Sequence, residues 1–377
     1  MITTFVLTSI FLFYIFIGYP VLIGFIGARS ELKRKNGGGH LSVTAIIVAC
    51  NEAEVIGKKL QNLLNLSYPV SNLRIVVVDD ASTDDTYAVA ASVNDSRISV
   101  IRAPMRCGKA AGINAAMLHV QSDLVLMLDA RQEIDANALL NLASWFEGES
   151  SVGAVSGELL FKDAGQNDFS RGMDSYWRYE KFIRKSEAQY CSVPGVTGAI
   201  YLLRTKAFAP IPDDTILDDV LIPMHCIAAG YTVGFDDRAI AWDIPSNDPA
   251  REKRRKVRTI KGNYQMLFRY PLWMLPGGHP IWWQYLSHKI LRLAAPFLAF
   301  GGFFACFQLS LAGGLLATAY SLAFLVATLL YPLSLISPTT FKNRTMRLLI
   351  SFIALNWFSL LGFFSYVFAK KSHSWKI

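Results

Sequence analysis

Charge is scarce in this 377-residue sequence: Asp, Glu, Lys and Arg make up 18%, against 52% hydrophobic residues and a mean hydropathy of +0.31. That balance is too apolar for a soluble enzyme and predicts membrane spans. Cysteine is sparse as well. Cys50, Cys107, Cys191, Cys226 and Cys306 form no CxxC pair and no metal-ligand spacing, so they read as isolated thiols of a reducing compartment. Two familiar phosphate loops are missing. Where a dinucleotide fold would carry G-x-G-x-x-G, the chain has Cys50-Asn51-Glu52, and Cys107-Gly108-Lys109-Ala110 lacks the upstream glycine and the Ser/Thr of a P-loop. No Lys or Arg precedes the first apolar run, whereas a cleavable signal peptide places its charge first.

The run itself, Thr3 to Ala28, is long enough to cross a bilayer, and Arg29, Lys33, Arg34 and Lys35 follow it. The positive-inside rule makes residues 1–28 a signal anchor in the plasma (inner) membrane, with the chain after Arg29 in the cytoplasm. Residues 29–41, with Asn36-Gly-Gly-Gly-His40, form a flexible linker. The net charge of +8 is concentrated in Arg251–Arg258 and beside apolar runs, which suits anionic lipid rather than nucleic acid. Residues 263–291, rich in Trp and Tyr, suit helices lying in the interface. Residues 292–377 hold three apolar segments, about Leu293–Ala312, Leu315–Ile336 and Leu348–Ala369, with a reversal at Gly313-Gly314. Lys342, Arg344 and Arg347 mark a cytoplasmic loop. Lys370, Lys371 and Lys376 would then fall outside, against the charge rule, so the sequence leaves open whether the last segment crosses.

Between the apolar ends, residues 42–262 alternate β-rich and helical patterns. Strands are predicted at Val43–Ala49, Ile75–Val78, Ile98–Arg102 and Leu124–Leu128, with helical periodicity between them. This rhythm predicts an α/β domain with a mostly parallel, Rossmann-like sheet. Ser82-Thr-Asp-Asp85 resembles a capping box that opens a helix through Tyr87 and Val89. Ligands of open α/β sheets bind beyond the carboxyl ends of the strands. Asn51, Glu52, Asp79, Asp80, Lys109 and Asp129 all fall on that rim. Singly, such carboxylates cap turns, read a base or ribose, or hold a cation. Together with Lys109 at a helix N-terminus they suit a nucleotide whose phosphates need counter-charge.

The succession of motifs from Val43 to Asn263 resembles the family 2 glycosyltransferases, whose fold is glycosyltransferase-A. Val48-Ala-Cys-Asn-Glu52 is similar to the family's first nucleotide-binding strand and turn, and Val78–Thr86 to its uracil- and ribose-reading segment. Arg106–Asn114 is similar to its glycine-lysine loop, and Leu128-Asp-Ala-Arg131 stands in place of Asp-x-Asp. Gly195–Tyr201, with Gly198, is similar to the acceptor-side glycine turn, and Leu217-Asp-Asp-Val220 stands where the family has its Glu-Asp base motif. Arg255-Lys-Val-Arg258-Thr259 aligns with the Gln-x-x-Arg-Trp of polymerising members. Arg131 replaces the second aspartate of Asp-x-Asp, so Asp129 is the one motif ligand left for a Mg or Mn ion. Thr259 replaces the tryptophan, so processive synthesis does not follow from the motif.

The resemblance implies attack by an acceptor hydroxyl on the anomeric carbon of a nucleotide sugar, a UDP-sugar. Asp219 is then the catalytic base, and one base with a single displacement implies inversion. Asn51, Glu52, Asp79, Asp80, Lys109, Asp129 and Arg131 fall to the donor, and Gly198, Asp218, Arg255 and Arg258 to the acceptor and diphosphate side. Tyr176, Trp177 and Tyr179 are core aromatics or a sugar-stacking face. Three functions stay open: assembly of a cell-envelope or extracellular polysaccharide, transfer of one sugar to a lipid carrier such as a polyprenyl phosphate, or a non-catalytic scaffold or transport component with a degenerate domain.

Overall fold

The computed structural model describes residues 1–29, 39–162, 168–244, 249–336 and 344–368. Lys33, Arg34 and Lys35, the linker up to Gly38, Lys342, and Lys370, Lys371 and Lys376 lie outside them, as does the side chain of Tyr176.

Eight strands form one sheet. They are β1 (Val43–Ala49), β2 (Leu73–Asp79), β3 (Ile98–Arg102), β4 (Leu124–Leu128), β5 (Glu133–Ile134), β6 (Val152–Phe161), β7 (Tyr201–Arg204) and β8 (Thr232–Asp243), in the spatial order β3-β2-β1-β4-β7-β6-β8-β5. The pairs β1/β2, β1/β4 and β2/β3 are parallel, as the alternating pattern predicted. Every residue of β1 and β4 is buried, because helices cover both faces. Ile46, Val48 and Val76 enter one core and Ala45, Ile47 and Ile75 the other, by the two-residue alternation of a strand.

The second half of the sheet differs from a simple parallel reading. β7 runs antiparallel to both β4 and β6, while β6 and β8 are parallel again. Helices α2 (Ala53–Leu64), α3 (Thr86–Ser92), α4 (Lys109–Met117), α5 (Ala138–Ala143), α6 (Asp168–Tyr190), α7 (Asp218–Ala228) and α8 (Pro249–Arg269) accompany the strands, following α1 (Ile2–Gly27). The expected capping box does not open α3. The Ser82 hydroxyl instead accepts the Asn51 N–H at 3.0 Å, and the Asp84 carboxylate accepts the Thr86 N–H at 3.0 Å. The helix therefore starts at Thr86, because Ser82 is already engaged by the neighbouring turn.

The region expected to hold separate interfacial helices, residues 263–291, is divided otherwise. α8 runs on to Arg269, one short turn follows at Pro271–Met274, and the chain from Trp282 to Leu311 is one helix, α9. α10 (Leu315–Ile336) and α11 (Arg344–Phe368) follow, and Gly313 makes the reversal before α10 with φ +86°. α1 and α9 are long and apolar enough to cross a membrane, by length and composition. Residues such as Phe13, Val21 and Phe25 on α1 point outward, a surface that suits lipid.

α1 does not stand apart from the sheet domain. It packs along α6, where a Cβ at Gly27 would lie 2.5 Å from the backbone oxygen of Ser186. Gly27→Val should cost about 1–3 kcal/mol through overpacking against main chain that cannot rotate away. The expected outcome is a lower thermal midpoint for the detergent-solubilised protein, with Gly18→Ala, whose Cβ meets nothing nearer than 3.4 Å, as the unchanged control.

Candidate active site

The site grows from the carboxyl ends of β1 and β4 and the first turn of α7. Lys109, the first residue of α4, donates to Asp129 Oδ1 at 2.7 Å and lies 3.1 Å from Asp218 Oδ2. Asp218 and Asp219 open α7, where unpaired backbone N–H groups favour negative charge. Gly198 lies against this trio, where a Cβ would make ordinary contact with Asp129 Oδ2 at 3.4 Å and Lys109 Nζ at 3.6 Å. The loop before α4 is held by Asp80, whose two oxygens accept the N–H groups of Cys107 at 2.6 Å and Gly108 at 3.0 Å.

Burial pushes the Lys109 ammonium down, but Asp129, Asp218 and Asp219 outweigh it and hold the charged form firmly. Burial likewise pushes Asp129 up, and Lys109, Arg255 and Lys59 overcome it, leaving that carboxyl below its usual range. Asp219 has no such compensation. Burial and the adjacent Asp218 push it up to about 6, against the opposing pull of Lys109.

These groups line a cavity of about 2460 Å³. Of the residues singled out in the sequence, Glu52, Lys109, Asp129, Arg131, Gly198, Asp218, Asp219, Arg255 and Arg258 reach its wall. Asn51, Asp79 and Asp80 do not. Asn51 bonds to the Thr83 N–H at 2.9 Å, and Asp79 is fully buried and accepts the Ser82 N–H at 3.3 Å. Its Oδ2 accepts no hydrogen bond and lies 3.6 Å from Arg102 Nε. Arg131 is tied to Glu52 at 2.8 Å, and Arg255 is 3.8 Å from Asp243 on β8. Trp177 and Tyr179 line the cavity too, but Tyr179 donates to the Phe16 carbonyl at 2.9 Å and so also fastens α6 to α1.

One wall residue went unnoticed in the sequence. Lys59 is 3% exposed and donates to the Gln132 carbonyl at 2.6 Å, with burial pushing its ammonium down to about 7. Its signal was available: Lys59 falls on the Ile56, Leu60, Leu63 stripe of an amphipathic helix, where a solvated lysine does not belong.

A metal fits these residues poorly. Asp129 is already ion-paired, position 131 is a guanidinium tied to Glu52, and among the described residues no three His, Cys, Asp or Glu side chains group to hold a cation.

Residues 44–211 match the family described as Glycosyl transferase family 2. The chain carries a family 2 glycosyltransferase domain. Over 231 residues this chain is 22% identical to poly-beta-1,6-N-acetyl-D-glucosamine synthase of Staphylococcus aureus, covering 60% of this chain and 56% of the relative. It is 26% identical over 206 residues to beta-monoglucosyldiacylglycerol synthase of a Nostoc strain, covering 52% and 44%. The chain thus spans about half the length of the curated relatives it matches. The solved structure of the mannosyltransferase PcManGT from Pyrobaculum calidifontis, in complex with GDP-Man and Mn2+, aligns with a TM-score of 0.72 at 21% identity, over 97% of this chain and 99% of that one. That likeness establishes the glycosyltransferase-A fold, including the helices on either side of the sheet domain.

Lys109 is the residue on which the candidate site is balanced. Lys109→Met should cost about 3 kcal/mol, because Asp218 is left buried without its cation. A lowered thermal midpoint, partly restored by adding Asp218→Asn, is the expected result; additive losses would remove the proposed coupling.

Proposed function

We propose that the protein is an inverting hexosyltransferase. It moves a sugar from a nucleotide-sugar donor, a UDP-sugar, to a hydroxyl of a glycan or lipid acceptor, in cell-envelope or extracellular polysaccharide synthesis. The carrying observation is Asp219: a carboxylate on the cavity wall, at a helix N-terminus, beside the Lys109–Asp129–Asp218 cluster and pushed up to about 6.

An alcohol is a poor nucleophile until its proton is taken. Asp219 accepts that proton as the acceptor oxygen bonds to the anomeric carbon and the bond from that carbon to the diphosphate breaks. The electron pair of the broken bond leaves with the nucleoside diphosphate. A single displacement from the face opposite the leaving group inverts the configuration. A carboxylate with a pKa near 6 is a stronger base than an ordinary one yet remains ionised at neutral pH, which suits the task. The leaving diphosphate meets Arg255 and Arg258 of α8, with Lys109 at the start of α4. This route uses no metal, in keeping with the donor set around Asp129.

The basic helix α8 lies against α11, where a Cβ at Gly362 would approach Ile260 Cγ2 to 2.4 Å. This contact and the apolar α1 and α9 support a catalytic domain held at the cytoplasmic surface of the plasma membrane, with α8 facing anionic lipid.

Two outcomes test the reading on the full-length protein with labelled UDP-sugars and membrane lipids. Asp219→Asn should leave UDP binding near normal and abolish transfer; retained turnover removes Asp219 from the mechanism. In the unaltered enzyme kcat/KM should fall about tenfold per pH unit below about 6, because the base works only when deprotonated. A profile flat from pH 7 to 5 contradicts the assignment.

A further inference from the structure

The cavity is larger than a sugar nucleotide needs. At about 2460 Å³ it exceeds the roughly 300–1,000 Å³ of ordinary small-ligand sites. Its wall also takes in residues of α6, α9 and α11, and part of that wall is apolar. Phe16 of α1 and Phe352 of α11 meet there edge to face at 4.6 Å, with Leu355 beside them.

Arg184 of α6 and Lys289 of α9 are both half-buried and both on the cavity wall. The Arg184 charge opposes that of Lys289, Glu180 and Glu187 attract it from a distance, and Lys289 also acts on Asp219. Among the described residues neither has a hydrogen bond or an ion pair. The carboxylates nearest Lys289 are committed elsewhere. Glu180 is held by Arg292 and by His288 Nε2 at 3.0 Å, and Glu187 by the Tyr19 hydroxyl at 2.5 Å and His288 Nδ1 at 2.9 Å. Two like charges on one partly desolvated wall, with neighbouring carboxylates bonded elsewhere, favour a further anion between them.

We propose that Arg184 and Lys289 hold the phosphate or diphosphate of an amphiphilic acceptor, whose apolar chain lies along Phe16, Phe352 and Leu355. This rests on the transferase reading and names its acceptor class. The phosphate sits between chain and base, so the acceptor hydroxyl is presented to Asp219 from the phosphate end. A planar guanidinium and an ammonium on opposite helices suit a tetrahedral dianion better than a neutral sugar. Because the pair lies outside the Lys109–Asp129–Asp218 cluster, it can be altered without touching the donor side.

The test titrates the full-length protein in zwitterionic nanodiscs with farnesyl phosphate, farnesol, inorganic phosphate and, separately, UDP. Farnesyl phosphate should bind at least tenfold more tightly than farnesol or inorganic phosphate. The Arg184→Gln/Lys289→Gln double variant should lose that preference, while Arg184→Lys/Lys289→Arg keeps it and all three proteins bind UDP alike. Equal binding of farnesol, or of the double variant, overturns the phosphate site. Inorganic phosphate binding as tightly as farnesyl phosphate overturns the amphiphile. UDP binding without farnesyl phosphate binding defeats this inference alone, whereas failure of the unaltered protein to bind UDP defeats the transferase reading beneath it.

Discussion

The ammonium of Lys109, held between Asp129 and Asp218, is the contact on which the site depends. Asp129 and Asp218 meet that ammonium where β4 ends and α7 begins, and without a cation the two carboxylates would repel. With Lys109 present, both are satisfied and a third, Asp219, is left with a raised pKa. The same cation thus pairs two carboxylates at this point and tempers the rise that burial and Asp218 impose on the third.

Carboxylates at strand ends serve two purposes in this molecule. Asp80 and Asp84 accept main-chain N–H groups and so shape the loops after β1, β2 and β3. Asp129 and Asp219 face the cavity. The division follows from geometry: a carboxylate that can reach two backbone donors in its own turn is satisfied there, and one at the mouth of the sheet has only side chains or ligand to meet. Arg131 shows the same economy in reverse, since its guanidinium finds Glu52 and closes the rim where the family's motif carries an acid.

The apolar helices α1 and α9 are joined to the sheet domain through buried polar contacts. Tyr19 of α1 and His288 of α9 both engage Glu187 of α6, and His288 also reaches Glu180. A buried carboxylate needs such partners, so the three helices are fixed in register with one another. Since α6 and α9 also carry Arg184 and Lys289, movement of the apolar helices would reach the cavity wall directly.

Much of the fold was legible from residue order. Runs such as Val43–Ala49 and Leu124–Leu128 are apolar throughout, and only a strand covered on both faces accounts for that in a βα alternation. The apolar segments near both ends and the reversal at Gly313 followed from length and composition in the same way. The strands β6, β7 and β8 were not delineated, because their pairing joins segments about 40 to 80 residues apart and local pattern is silent on such partners. Sequence alone determined which residues carry charge and which segments are apolar, since hydropathy and periodicity are properties of neighbours along the chain. Which carboxylate holds a turn and which faces the cavity, that Lys59 is buried, and that Arg184 and Lys289 line one cavity were decided by tertiary packing. Those facts depend on distances between residues remote in sequence, and on how much water the fold leaves around them.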